Sequence, residues 1–272
     1  MIDPNLIAIL LGIVIGFLMA ITGAGGAILS LPLLMYFFNM EIKDAAPIAL
    51  LAIFIAAGSA ALIGLRQGVV RYKAATLLAV MGVLMAPLGV YVAHSVAALW
   101  LHLLFMLLLF YVGAQALVAT QSSNLMQDSL YHHSATPCEI NPLSTQLFWT
   151  ASCTKRLLLT GAVAGFLSGL LGVGGGFIVM PVLQKISNLK HRMVVATSLA
   201  MTALVALVSV ISYASYSAIQ WQVAIPFALA TLAGSLVGKL MSATISISQS
   251  RFTFGIVSLF IALAMLLNMV FE

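Results

Sequence analysis

The chain has 272 residues, 63% of them hydrophobic and only 6% charged, with a formal net charge of +5. Soluble domains carry about 25% charged residues, so a soluble fold is excluded. The basic residues stand at the ends of apolar runs and form no basic cluster, which excludes a nucleic-acid surface and fits loop charges beside a bilayer.

The first charge-free run, 4–40, is 37 residues long. One helix of that length would measure about 55 Å, against a bilayer core of about 30 Å. It must break, and helix propensity is lowest at Gly23-Ala24-Gly25-Gly26. The arm beyond, to about Phe38, is too short to span. Spanning helices are expected at about 45–65, 74–94 and 97–119. Residues 120–152 are polar, hold Pro137 and Pro142, and read as a linker. His132, His133, Cys138 and Glu139 lack zinc-site spacing, so no metal is expected there. The cysteines, Cys138 and Cys153, are placed with this linker, outside the spans. The run 157–184 breaks again at Gly172-Val173-Gly174-Gly175-Gly176. Spanning helices follow at about 193–214, 222–243 and 252–270.

The two broken runs are copies. Residues 16–34 return as 165–183, with eight of nineteen positions identical at an offset of 149: Gly16/Gly165, Phe17/Phe166, Leu18/Leu167, Gly23/Gly172, Gly25/Gly174, Gly26/Gly175, Pro32/Pro181 and Leu34/Leu183. The offset persists at Leu50/Leu199, Tyr72/Trp221, Gly89/Gly238 and Phe105/Phe254. Because the first broken run belongs to the first copy, it reads as mature chain rather than a cleaved leader.

Charge decides the expected orientation. If each broken segment enters and returns on one side, ten basic residues reach one face: Arg66, Arg71, Lys73, Lys155, Arg156, Lys185, Lys190, Arg192, Lys239 and Arg251. The other face receives only Lys43. If each broken segment crosses once, the split is six against five. The positive-inside rule selects the first arrangement. The expected fold is an all-α polytopic membrane protein of two inverted repeats, each a glycine-broken helix hairpin plus three spanning helices. The repeats occupy 1–119 and 153–272, with a cytoplasmic linker at 120–152 and both termini outside. On that side of the membrane the cysteines are expected as reduced thiols.

A break inside the hydrocarbon is tolerated only beside a cavity or within protein. Successive glycines let a ligand approach the backbone. The helix that restarts directs free N–H groups and its positive dipole end at that spot, an anion site without a charged side chain. Inverted copies bring two such ends toward the midplane. Pro32 and Pro181 would weaken the short arms. Thr22, Ser30, Ser168, Thr197 and Ser198 offer hydroxyls, although a membrane hydroxyl often bonds only its own helix. Gly12, Gly16, Gly161, Gly165 and Gly169 form small-residue ridges of the helix-packing kind.

No Ser-His-Asp set, metal-ligand helix, nucleotide loop or buried carboxylate pair appears, so neither catalysis nor a cofactor is expected. No Asp, Glu, Lys or Arg lies deep in a span, which disfavours cation carriers and proton relays. An anion leaving an inside-negative cell gains about 2.3 kcal/mol per charge per 100 mV, so its export needs no coupling group.

At GFL followed by GAGGA and LP in one copy, and at GFLSGLLGVGGGFIVMP followed by VVATSLAM in the other, the chain resembles the TauE/SafE family of sulfite exporters. The resemblance covers nearly both copies. It implies a multi-pass inner-membrane permease for small sulfur-containing anions such as sulfite. The substrate-binding positions it marks are Gly23, Gly25, Gly26 and Pro32, then Gly172, Gly174, Gly175, Gly176 and Pro181, with Thr197 and Ser198. Thr22, Ala24 and Ser168 complete the set from the residue reading. Copy one has Ile48-Ala49 where copy two has Thr197-Ser198, so hydroxyl ligation is expected from one copy. Related thiosulfate carriers use membrane cysteines, and the placement of Cys138 and Cys153 outside the spans argues against that chemistry. The competing readings are an uptake permease for an organosulfonate or other organic anion, and a non-transporting membrane scaffold. The expected partners are a small anionic substrate and the lipid bilayer, with homodimerisation open and no nucleic acid.

Overall fold

A computed structural model describes residues 3–125, 151–187, 191–241 and 247–271. Among them run α1 (Pro4–Thr22), a 3-10 helix (Gly23–Leu29), α2 (Ser30–Phe38), α3 (Ile42–Arg66), α4 (Tyr72–Ser95) and α5 (Ala98–Leu125). The second half holds α6 (Ala151–Leu171), α7 (Gly176–Ile186), α8 (His191–Ala214), α9 (Trp221–Met241) and α10 (Ile247–Phe271). Seven helices are long and apolar enough to cross a membrane: α1, α3, α4, α5, α6, α8 and α9. α10 adds the apolar stretch Phe252–Leu267. The protein is an all-α polytopic membrane protein.

α2 and α7 have 9 and 11 residues. At about 14 and 17 Å they cannot cross alone. Each follows a reversal of the chain. A Cβ on Gly26 would stand 2.6 Å from the Met19 nitrogen, and one on Gly175 would stand 2.5 Å from the Ala164 carbonyl oxygen. The backbone has therefore returned beside the helix it left, and both broken segments are hairpins.

Small residues set the helix pairs. Gly12 of α1 meets Phe227 and Ala230 of α9, Gly16 meets Thr231 and Ser235, and Gly238 meets Phe17 and Ala20. Gly161, Gly165 and Gly169 of α6 meet Leu78, Gly82 and Ala86 of α4. Both pairs run parallel, and the offset of 149 exchanges one for the other. A Cβ at these glycines would strike facing backbone, the close approach that small residues permit in lipid.

Where equivalent helices of the two copies touch each other, they run in opposite directions. Gly58 of α3 faces Ala203 of α8, Gly64 faces Ala196, and Arg192 donates to Gln67 at 2.8 Å. Gly113 of α5 faces Ser258 and Leu259 of α10, while Gly255 faces Leu117. The most enclosed span is α8, with 67% of its apolar window buried, against 22% for α5. α8 therefore lies at the centre with α3, and α5 presents Leu107, Phe110 and Tyr111 outward.

α5 runs to Leu125, into the stretch read as linker. The reading of His132, His133, Cys138 and Glu139 falls on 126–150, outside the described residues. Cys153 corrects the sequence reading. It is buried in the first turn of α6, a spanning helix, and is disulfide-bonded rather than a free thiol. The reason is periodic: Cys153, Leu157, Thr160 and Ala164 share the buried face of α6, at the spacing of one helical stripe.

Candidate functional site

The first break keeps a right-handed course. α1 passes directly into the 3-10 helix Gly23–Leu29 and then into α2. The Thr22 hydroxyl donates to the Leu18 carbonyl at 2.7 Å and accepts the Gly26 N–H at 2.9 Å. The Ser30 hydroxyl donates to the Ala27 carbonyl at 2.6 Å. Both hydroxyls named in the sequence are thus engaged with backbone. Gly26, Ser30 and Pro32 are buried. Pro32 also borders a cavity of about 870 Å³ between α2, α5 and α10, shared with Met35, Tyr36, His102 and Met265.

The second break is built differently. Gly172, Gly174 and Gly175 have φ of 70°, 74° and 66°, a left-handed course that side chains disfavour. The Gly172 N–H donates to the Ser168 carbonyl at 2.8 Å, and the Ile178 N–H to the Gly175 carbonyl at 3.2 Å. The N–H groups of Val173, Gly174 and Gly175 have no partner among the described residues. Gly175 is the N-cap of α7 and no side chain caps it. All residues from Gly172 to Phe177 are buried, where an unpaired backbone donor is costly.

The walls come from the central pair. Gly172 lies against Ala46 of α3. A Cβ on Gly174 would stand 2.9 Å from Ile53 Cγ2 and 3.0 Å from Thr202 Cγ2. Ile53 and Thr202 are equivalent under the offset of 149 and lie near the middles of α3 and α8. Gly174 thus sits between equivalent positions of the two copies. The 3-10 helix of the first break packs against α7 and α8, so the two breaks are neighbours.

Two buried hydroxyls beside this break, Ser168 on the last turn of α6 and Thr202, are fully enclosed and without a partner. Thr197 and Ser198 are also fully buried, but both are occupied. Thr197 donates to the Met193 carbonyl at 2.7 Å and accepts the Arg71 N–H at 3.1 Å, tying the α3–α4 turn to α8. Ser198 donates to the Val195 carbonyl at 2.9 Å. Pro181 lies half-buried inside α7. Two neighbours of the site carry no sequence motif. Thr202 differs from its equivalent only as threonine against isoleucine, and buried Tyr213 donates to the Gly169 carbonyl at 2.9 Å, bracing the end of α6. Acidic and basic residues of the spans lie only near helix ends.

The sequence profile of the sulfite exporter TauE/SafE family matches residues 8–265. The chain belongs to the TauE/SafE family. Among curated proteins it is 25% identical over 255 residues to a "Probable membrane transporter protein" of Xylella fastidiosa, covering 93% of this chain and 91% of that one. A second Xylella fastidiosa strain has a protein of the same name, 26% identical over 256 residues, with the same coverage of 93% and 91%. The "Probable membrane transporter protein YjnA" of Bacillus subtilis is 25% identical over 235 residues, covering 86% of this chain and 89% of its own length. No solved structure matches significantly. This TauE/SafE member therefore shares nearly its whole length with proteins named as transporters, and its two glycine breaks fall within the matched region.

Proposed function

We propose that this protein transports a small oxyanion across the inner (plasma) membrane, with export of sulfite or a similar sulfur-containing anion as the leading assignment. The anion binds near the midplane at the glycine breaks. The observation that carries this reading is the row of buried, unpaired N–H groups at Val173, Gly174 and Gly175, at the start of α7. Oriented amides and a helix dipole favour negative charge, and a bound oxyanion supplies the missing acceptors. Membership of the TauE/SafE family supports the same substrate class.

The copies are inverted in this reading, with both termini outside and the linker cytoplasmic. The antiparallel course of α3 against α8 and of α5 against α10 supports it, as does the ten-to-one division of basic residues. The disulfide at Cys153 pulls the other way, since such bonds persist in oxidising compartments. The charge division rests on eleven residues and outweighs one bond. The deciding experiment is counterflow in proteoliposomes across sulfite, sulfate, methanesulfonate and chloride. Saturable sulfite flux is the expected result. Flux of none of these anions, from protein that is folded and inserted, would leave the scaffold reading in place.

A further inference from the structure

We propose that the substrate is held at one break only, and that Thr202 and Ser168 are the side chains that coordinate it, as the protonated monoanion of a small oxyacid. This rests on the reading of the second break as the anion site. Most buried hydroxyls on the spans bond a carbonyl one turn back in their own helix, as at Thr160, Thr197, Ser198, Thr231 and Ser235. Thr202, Ser168, Ser209 and Ser258 do not, although all four are fully enclosed, and of these Thr202 and Ser168 lie beside the second break. The Thr202 methyl lies against Gly174, which puts its unpartnered hydroxyl on the residue that faces the break, where the amides of Val173, Gly174 and Gly175 also lack acceptors. Donors with no acceptor and hydroxyls with no partner stand together, and one bound oxyanion satisfies both.

The first break has no such vacancy in its chemistry. The residues equivalent to Ser168 and Thr202 are Met19 and Ile53. The Thr22 hydroxyl caps Gly26, and that of Ser30 is spent on Ala27. So the duplicated scaffold carries one coordinating wall, on the α8 side of Gly174, faced by an apolar one on α3.

The chemistry of that wall selects the charge state. It holds no cation, and the cost of burying an ion without a counter-charge rises steeply with its charge. A monoanion is therefore favoured over a dianion. Amides only donate, whereas a hydroxyl both donates and accepts. One hydroxyl can accept the O–H of a hydrogen oxyanion while the other hydroxyl and the amides donate to its charged oxygens.

The test is flux of radiolabelled sulfite into proteoliposomes, with Thr202→Val, Thr202→Ser, Ser168→Ala and Gly176→Val. Thr202→Val is expected to raise KM about tenfold, the loss of one hydrogen bond to a charged ligand. Its melting temperature should hold or rise, because no protein partner is lost. Thr202→Ser should restore KM, and Ser168→Ala should raise it less. At fixed total sulfite, flux should follow the monoanion as pH is varied. Wild-type KM in Thr202→Val, with flux lost in Gly176→Val, overturns the Thr202 assignment and leaves the break as the site. Wild-type flux in both overturns the reading of the break itself. A fall in melting temperature for Thr202→Val, with unchanged KM, assigns the hydroxyl to structure.

Discussion

The two glycine breaks descend from one motif and have become different objects. In the first, a threonine precedes the glycines and its hydroxyl caps Gly26, so the backbone winds on as a 3-10 helix that meets its own hydrogen bonds. In the second, Leu171 stands where Thr22 stood and Gly176 replaces Ala27. Without a capping hydroxyl and with one more glycine, the chain turns left-handed three times and leaves its amides unpaired. Duplication supplied two reversals, and small side-chain differences closed one and opened the other.

The sharpest way to break this comparison is to add a methyl to each break. Gly175→Ala must hold φ at 66° and push against the Ala164 carbonyl. It should cost at least about 2 kcal/mol and reduce the yield of monodisperse protein, read by size-exclusion chromatography in detergent. Gly23→Ala sits in a right-handed 3-10 turn, carries no left-handed strain, and should cost less than Gly175→Ala. Equal sensitivity at the two positions would mean the breaks are alike. Gly12→Ala should also destabilise, since its Cβ would stand 2.6 Å from the Phe227 carbonyl oxygen.

A site without charged side chains also leaves the substrate charge uncompensated. An inside-negative potential of about 100 mV should bias a monoanion outward by about 2.3 kcal/mol, near fiftyfold at equilibrium. Sulfite distribution in proteoliposomes, with valinomycin and potassium gradients setting the potential, measures this. A distribution that ignores potential and follows an imposed pH gradient would require proton coupling.

A smaller effect separates the hydroxyls of the two breaks. Thr22→Val removes a cap and should lower stability by about 1 kcal/mol, visible as a lower melting temperature. KM for sulfite should not move, because that hydroxyl serves the backbone. A change in KM would give the first break a share in binding.

Labelling moves no energy but tests whether the breaks open from opposite sides. Single cysteines at Val69 and Ala218, in a chain lacking Cys138 and Cys153, should react with an impermeant thiol reagent from opposite faces. In the intact chain, trapping of thiols in cells reads the same question at Cys153, whose disulfide is kept on an oxidising side and reduced on a cytoplasmic one.

The fold class was legible in the residues alone, because lipid imposes long apolar helices and an offset repeat survives as identities at glycine and proline. The hairpins followed from length: 37 residues cannot cross once, and glycine tells where they turn. Only the tertiary structure decided which hydroxyls are free. Thr197 and Ser198 look like ligands in the motif, yet one holds Arg71 and both bond their own helix. Thr202, unmarked in sequence, meets Gly174 because α3 and α8 pack together and the second break lies against both. Hydrogen-bond satisfaction is a property of neighbours distant in the chain, and no local pattern of residues encodes it.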